Sequence, residues 1–348
     1  MYKRIIRPLL FLLQPETIHK LIVFILKFIF KIPGIQLFMK NIFSIKDKRL
    51  KRTFLGIEFD NPVGFAAGFD KNAEVYHQFS SFGFSFIEVG TVTPLPQPGN
   101  TKPRSFRIPK DSGLINRMGF NNKGADYAVR KLKNKSRKVI IGGNIGKNTL
   151  TPNNEALDDY VYCFEKLYAH VDYFVVNLSC PNIKDLEKLQ DKDSTITILN
   201  KLTKIRQSKE KYKPILLKVS PDLTREQLND VVETFNITGI DGIVATNTTR
   251  SRDGLKTTEE KISKIGDGGL SGAPLTKRST EIIRYLREKS EGTIPIIGVG
   301  GIMTVEDALE KLEAGATLIQ IYTGFIYQGP GFVKQINKAI LKHADSKA

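Results

Sequence analysis

The chain contains no tryptophan, two cysteines and four histidines among its 348 residues. Two cysteines cannot build the multi-bridge framework of a small secreted protein, so we expect a reducing compartment. Cys163 falls in a predicted helix 17 positions before Cys180, a spacing that excludes a CxxC redox pair or a cysteine metal site. No metal cluster is visible. No histidine ends a predicted strand, which leaves a Ser-His-Asp or Cys-His hydrolase without a base; the four are His19, His77, His170 and His343.

Acidic residues are scarce at the start of the chain. Up to residue 52, twelve basic residues stand against two acidic ones, so this segment carries +10 of the total net charge of +17. The apolar residues between these charges predict two short helices, the second opening at Pro15 and ending before Pro33. This segment also lacks an uninterrupted apolar run of the ~18 to 20 residues that a membrane span needs. Its apolar stretches are divided by Glu16, His19, Lys20 and Lys27.

These features predict that residues 1–45 form an amphipathic helical pair that lies on an anionic lipid surface without crossing it. We expect a peripheral protein at the cytoplasmic face of the cell membrane, with no nucleic-acid partner. A secretory signal is disfavoured because no small-residue cleavage site follows the apolar stretch. A helical pair packed only against its own domain remains an alternative.

Residues 46–348 contain eight short apolar runs separated by helical stretches. Near-continuous apolar character is typical of strands buried on both faces, and eight such units predict an α/β fold, a (β/α)8 TIM barrel. A doubly wound open sheet is the competing architecture, but no GxGxxG turn follows the first run. A Pro- and Gly-rich insertion is expected around 92–122. The runs are 63–66, 86–89, 139–145, 173–178, 215–219, 242–246, 294–299 and 318–322.

Polar residues cluster where these strands end, which is the active-site face of such a barrel. Glycine-rich segments at 298–301 and 322–324 follow strands seven and eight, where barrels commonly bind phosphate. Lys71 and Lys218 at a barrel mouth predict anionic ligands, because an unpaired buried lysine is costly. The other polar positions are Thr91, Asn144, Asn177, Cys180, Thr246, Asn247 and Thr248.

The hexapeptide NLSCPN at 177–182 places a thiol directly after the fourth strand. A base that removes a proton from carbon must lose its own proton near neutral pH, and a free cysteine, with a pKa of about 8.5, does so more easily than serine. The flanking Asn177 and Asn182 both donate and accept hydrogen bonds, which suits a planar polar substrate. A small buried hydrophobe is the alternative role for Cys180.

Seven further segments together resemble dihydroorotate dehydrogenase over nearly the whole chain. The 15–19 segment, with His19, resembles the membrane-associated, quinone-reducing class of that family. The segments are AAGFDK at 66–71, GTVTP at 90–94, INRMGFNN at 115–122, GNIGK at 143–147, ATNTT at 245–249, GLSG at 269–272 and IGVGGI at 297–302.

The resemblance implies FMN as cofactor, dihydroorotate and orotate as ligands, and a membrane quinone as acceptor. It implies that FMN is held by Ala67, Gly68, Lys71, Thr91, Asn144, Asn177, Lys218, Thr246, Gly272, Gly301, Tyr322 and Thr323. It places the pyrimidine against Lys71, Asn116, Arg117, Met118, Gly119, Phe120, Asn177, Asn182, Asn247 and Thr248. His19, Arg107 and Tyr322 match positions along the family's quinone path.

The implied reaction oxidises dihydroorotate to orotate in pyrimidine biosynthesis. Cys180 removes the C5 proton, hydride passes from C6 to N5 of FMN, and a quinone collects the electrons. Cys180 departs from the quinone-reducing class, which usually has serine there, and resembles the soluble classes. Two enzymatic alternatives therefore stay open: a soluble-class enzyme that uses fumarate or NAD, and a flavin enzyme similar to tRNA dihydrouridine synthases. A membrane-bound phosphate-binding module is the non-enzymatic alternative.

Overall fold

A computed structural model describes residues 1–133, 139–179 and 191–346. Eight parallel strands close into a barrel in the order β3, β4, β7, β8, β9, β10, β12, β13 and back to β3. The strands are β1 Arg52–Phe54, β2 Ile57–Phe59, β3 Val63–Phe65, β4 Phe86–Val92, β5 Ser105–Ile108, β6 Gly113–Asn116, β7 Ile140–Ile145, β8 Tyr173–Asn177, β9 Ile215–Val219, β10 Gly242–Ala245, β11 Gly269–Gly272, β12 Ile296–Val299 and β13 Leu318–Ile321. The eight predicted strands are confirmed as the eight barrel strands, and the open doubly wound sheet is excluded.

Apolar side chains of the strands fill the interior of the barrel. Interior apolar residues such as Val175, Leu216 and Val244 form one buried cluster. The antiparallel hairpin of β1 and β2 covers the end where the strands begin, and its Phe59 ring packs edge to face on Phe86 at 5.2 Å. The opposite end, where the strands finish, is left for a site.

Helices surround the barrel and bury their apolar faces against the strands. Capping boxes begin two of them: Thr224 pairs with Gln227, and Thr304 pairs with Asp307. The helices are α1 Arg7–Phe11, α2 Pro15–Ile29, α3 Ile35–Phe43, α4 Tyr76–Ser80, α5 Ala125–Leu132, α6 Ala156–Leu167, α7 Lys192–Gln207, α8 Arg225–Thr238, α9 Glu259–Ile265, α10 Thr276–Lys289, α11 Val305–Glu313, α12 Thr323–Gln328 and α13 Phe332–Asp345.

The N-terminal segment contains three helices where the sequence predicted two. A helical turn at Tyr2–Ile6 continues into α1, α2 begins at Pro15 as predicted, and α3 follows Gly34, whose φ is +81°. The prediction of a pair missed α3 because Pro33 and Gly34 marked an end, although apolar residues at helical spacing resume directly after them. Among the described helices none alone has the length and apolarity of a membrane span; the pair Tyr2–Phe11 and Pro15–Ile29 reaches them only jointly, across a bend of 116°.

A three-stranded antiparallel sheet of β5, β6 and β11 stands beside the open end of the barrel. β5 and β6 form a hairpin inside the long connection between β4 and β7, and β11 comes from the segment after β10. Two arginines tie this sheet to the N-terminal helices. Arg104 donates two hydrogen bonds to the Glu16 carboxylate, at 2.9 and 3.2 Å, and Arg107 donates one to the Leu13 carbonyl at 2.6 Å.

Candidate active site

One cavity of about 840 Å³ runs from the open end of the barrel to the space between α1 and α2. Its volume falls within the range of sites for drug-sized ligands and cofactors. Most of the site residues predicted from the sequence line this single cavity, although they are spread over some 300 positions of the chain. They are His19, Ala67, Gly68, Lys71, Thr91, Arg107, Asn116, Met118, Gly119, Phe120, Asn177, Lys218, Thr246, Asn247, Thr248, Gly272, Gly301, Tyr322 and Thr323.

Of the predicted positions that the structure describes, two are not among the lining residues, Arg117 and Asn144. Arg117 was predicted to contact the pyrimidine, but its side chain points away from the cavity. It donates to the carbonyls of Ile265 and Asp267 and covers the Phe106 ring at 4.7 Å. The alternating direction of side chains along an extended segment explains this, since neighbouring Asn116 faces the cavity. Asn144 lies buried behind the wall. Cys180 and Asn182 lie outside the described residues.

A chain of amide and hydroxyl groups crosses the floor of the cavity. Asn247 Nδ2 lies 3.3 Å from Asn177 Oδ1, and Asn177 Nδ2 lies 3.1 Å from Thr91 Oγ1. Thr91 donates to Asn144 Oδ1 at 2.6 Å. Each residue comes from the end of a different strand, so the barrel itself fixes the network. The network holds these amides in defined orientations with their remaining hydrogen-bonding capacity available to a ligand.

Glu88, which is not among the residues predicted from the sequence, anchors this network from inside the barrel. Its fully buried carboxylate accepts hydrogen bonds from Asn144 Nδ2 at 2.7 Å and Gln320 Nε2 at 2.6 Å. Lys218 Nζ lies 3.5 Å from the same carboxylate. The sequence predicted an anion for Lys218 but placed it in a ligand, whereas Glu88 provides one within the protein. An acidic residue in the otherwise apolar run of β4 was the signal for it.

At one end of the cavity, two glycines pack closely against the backbone of neighbouring segments. A Cβ on Gly272 (φ +98°) would lie 2.3 Å from the Ser112 carbonyl oxygen, and one on Gly301 (φ +71°) would lie 2.3 Å from the Thr276 amide nitrogen. Glycine is therefore required sterically at both positions. Thr323 begins α12 at this end of the cavity, and its hydroxyl lies 2.8 Å from Ser271 Oγ. The resulting polar concavity of backbone groups and hydroxyls suits a phosphate.

Lys71 and His19 meet where the polar part of the cavity joins the helices. Lys71 Nζ donates to the Gly68 carbonyl at 2.6 Å, and His19 Nε2 lies 2.9 Å from the Phe69 carbonyl oxygen, so this nitrogen carries the hydrogen. Burial, reinforced by the nearby Lys71 charge, lowers the pKa of His19 to about 4. His19 is therefore neutral at physiological pH and adds no charge to this junction.

The arm of the cavity between the helices is lined mainly by apolar groups. Phe11 packs edge to face on Tyr327 at 5.3 Å, and the Arg107 guanidinium covers the Phe11 ring at 4.5 Å. Burial lowers the pKa of Arg107 and raises that of Tyr322 to about 12, so Tyr322 is a neutral phenol throughout the physiological range. Such an arm accommodates a lipid-soluble molecule.

Comparison with known proteins decides the family. The sequence model of the family described as dihydroorotate dehydrogenase matches residues 49–343. The chain belongs to the dihydroorotate dehydrogenase family. Since this match covers the whole barrel, the alternative of a tRNA dihydrouridine synthase-like enzyme falls away.

Whole-length relatives refine this assignment. The chain is 57% identical to the dihydroorotate dehydrogenase (quinone) of Christiangramia forsetii, covering 98% of this chain and 99% of the relative, and 47% identical to that of Idiomarina loihiensis, covering 95% and 98%. The solved structure of the Eimeria tenella enzyme in complex with ferulenol superposes with a TM-score of 0.85 at 34% identity, covering 96% of this chain and 92% of the other. The predicted family and its quinone-dependent class are thereby confirmed.

Proposed function

We propose that this protein is a dihydroorotate dehydrogenase that binds FMN, oxidises dihydroorotate to orotate in pyrimidine biosynthesis and delivers the electrons to a membrane quinone. The observation that carries the proposal is the continuity of the cavity. Its polar part, with the amide network and the glycine concavity, opens into the apolar arm between α1 and α2. A hydrophilic substrate and a lipid-soluble acceptor thus reach one site from different sides.

FMN fits the polar part of the cavity. The concavity at Gly272, Gly301 and Thr323 would hold its phosphate, and its shape depends on the close backbone packing that glycine permits at both positions. Lys218 and the amide of Asn177 would face the polar edge of its ring system, and Asn144 and Glu88 behind the wall would keep them in place. When bound, FMN supplies the acceptor for the two electrons that the substrate gives up and transfers them to quinone.

The pyrimidine is recognised by groups that match its outline. Lys71 provides a positive charge for the single carboxylate, and Asn116, Asn177 and Asn247 provide donors and acceptors for the planar imide. Thr248 adds a hydroxyl, and its backbone N–H holds Asn247 Oδ1 at 2.9 Å. The buried Phe120 closes one side and excludes water. Met118 and Gly119 complete this wall, and Asn182 is proposed as a further amide partner.

Cys180 is proposed as the base that takes the proton from C5 of dihydroorotate. A thiol loses its proton far more readily than a hydroxyl, so turnover should persist to lower pH than a serine base allows. The test compares the pH dependence of kcat in wild type and Cys180→Ser. We expect the acidic limb of the variant to move to higher pH, and superimposable profiles would exclude the thiol as the base.

The N-terminal helices are proposed to rest on the cytoplasmic face of the membrane. Fourteen of the nineteen large apolar side chains exposed in the described residues lie before residue 43. α2 has two apolar faces, because Ile22 and Leu26 pack against the barrel core while Phe28 is 64% exposed. An outward apolar face with basic flanks is the pattern of a peripheral helix on anionic lipid.

Vesicle flotation tests this contact. The double variant Phe28→Ser/Phe38→Ser removes exposed rings from α2 and α3 without touching the cavity lining, and should weaken binding to phosphatidylglycerol vesicles roughly tenfold or more. The control Leu150→Ser/Ile237→Ser removes two exposed apolar side chains from the barrel and should bind as wild type does. Equal binding of all three proteins would contradict the proposed surface.

The acceptor experiment tests the function as a whole. Orotate formation is followed with ubiquinone, menaquinone, fumarate and NAD offered separately to the full chain. We expect turnover with a quinone and none with NAD. Turnover with fumarate alone would favour the soluble-class chemistry that Cys180 resembles, and no orotate with any acceptor would overturn the proposal.

A further inference from the structure

Lys311 on α11 is a fully buried lysine outside the cavity wall. Its ammonium donates to Thr280 Oγ1 at 2.6 Å and to the Thr276 carbonyl oxygen at 3.0 Å. Both of these hydrogen-bond partners are neutral, and the carboxylates of Asp307 and Glu310 on the same helix act on the ammonium through their charge. Burial lowers its pKa to about 8, which still leaves the group charged at neutral pH. A buried cation with neutral partners is costly unless a negative charge is supplied nearby.

The partners of Lys311 adjoin the glycine concavity. Thr276 begins α10 and donates through its hydroxyl to the Gly301 carbonyl at 2.6 Å. Ser279, one turn later, donates to the Gly300 carbonyl at 2.8 Å. The Thr276 backbone is also the group that a Cβ on Gly301 would strike. The ammonium therefore stands directly behind the loop that forms the concavity.

The concavity itself contains no cationic side chain among the described residues that line it. The lining stretches 271–275, 299–303 and 322–326 contribute only apolar, hydroxyl-bearing and glycine residues. The lysines and arginines of the cavity wall belong to other segments of the chain. A phosphate seated there would thus meet hydrogen-bond donors in front and the buried charge of Lys311 behind the loop, where solvent screening is weak.

We propose that Lys311 is a positioning residue whose buried charge makes the site prefer a phosphorylated flavin over the same flavin without its phosphate. This inference rests on the proposed binding of FMN and extends it to a residue that does not touch the ligand. Lys311 acts in two ways: it fixes the first turn of α10 against the glycine loop, and it adds positive potential at the phosphate end.

Flavin selectivity separates these roles. FMN and riboflavin are titrated by fluorescence into the same flavin-free preparation of the full chain, so any loss of folded protein cancels in the ratio of the two Kd values. Lys311→Met keeps the length and packing of the side chain but removes the charge. We expect the preference for FMN to fall roughly tenfold, the size of effect that a buried unit charge exerts through protein of intermediate dielectric. Lys277→Met removes an exposed lysine from the same first turn of α10 and should leave the preference unchanged.

Three outcomes overturn the inference or its basis. Equal weakening of FMN and riboflavin in Lys311→Met would show a purely structural role. Unchanged Kd values for both flavins would show that the charge is not felt at the phosphate. A wild type that binds riboflavin as tightly as FMN would instead overturn the proposed cofactor site itself. If Lys311→Met does not fold, Lys311→Gln retains a donor without the charge, and the same loss of preference is expected from it.

Discussion

Glu88 shows how one buried residue organises several functional side chains. It joins Asn144, Gln320 and Lys218, which come from three different strands, and it has no exposed surface. A lone carboxylate or a lone ammonium inside a barrel is strongly unfavourable. Here the opposite charges of Glu88 and Lys218 compensate each other, and two side-chain amides donate hydrogen bonds to the carboxylate. The network therefore presents Lys218 to the cavity in a fixed position.

Replacing Glu88 with Gln should cost about 3 kcal/mol of unfolding free energy, because Lys218 then remains buried without its counter-charge. The cost is measured by urea unfolding at equal flavin saturation. Glu58→Gln, an exposed carboxylate on the β1–β2 hairpin, is the matched control and should change stability by less than about 0.5 kcal/mol. A Glu88→Gln protein as stable as this control would mean that the ion pair is not what satisfies Lys218.

His19 makes the docking of α2 sensitive to acid. Its pKa is about 4 in the folded protein and about 6.5 in the unfolded chain, so only the unfolded chain takes up the proton between these values. Its contribution is complete above pH 6.5 and is lost as the pH falls towards 4. At pH 5 the loss should reach about 2 kcal/mol.

His19→Gln tests this dependence, because glutamine retains a donor for the Phe69 carbonyl but does not titrate. Urea unfolding at pH 7.5 and pH 5 should show the wild type losing about 2 kcal/mol more than the variant. Identical losses in the two proteins would place the acid sensitivity in other groups.

At the scale of elements, the glycine concavity depends on how α10 approaches the loop after β12. Gly301→Ala should disrupt it twice, through strain at φ +71° and through contact with the Thr276 backbone at 2.3 Å. Gly239 at the end of α8 also has a positive φ, +62°, but has no atom within 4 Å of an added Cβ. Gly239→Ala therefore carries the strain without the clash.

The two variants should separate in their flavin content. Both are expected to lose about 1 kcal/mol of stability from backbone strain. Gly301→Ala should in addition be purified largely without flavin, whereas Gly239→Ala should retain the wild-type ratio of flavin to protein. Absorbance spectra of the purified proteins measure this ratio, and full flavin content in Gly301→Ala would show that the loop can move aside.

At the scale of the whole molecule, the repeating signals were the predictable ones. Eight apolar runs indicated the barrel, and the strand ends indicated many of the polar residues of the cavity lining, because both follow from local pattern and a symmetric fold. Other lining residues, such as Asn116 and Gly272, followed only from the family resemblance. Contacts between distant segments were not predictable: β11 joins the hairpin of β5 and β6 only through pairing across some 150 residues. The pairing of Glu88 with Lys218 likewise depends on packing across the barrel, although the acidic residue in β4 was visible in the sequence.

The two-sided cavity predicts that its ends can be impaired separately. Val23 on α2 lines the apolar arm and packs against the core. Val23→Trp should therefore narrow the arm and make the binding free energy of a molecule that must enter it less favourable by roughly 1–3 kcal/mol. Turnover with quinone should fall about tenfold or more. The rate at which dihydroorotate bleaches the flavin in an anaerobic single turnover should stay at the wild-type value. Phe28→Trp, five residues further along α2 and outside the cavity lining, should change neither rate. Equal slowing of both steps in Val23→Trp would mean that the arm is not a separate route for the acceptor.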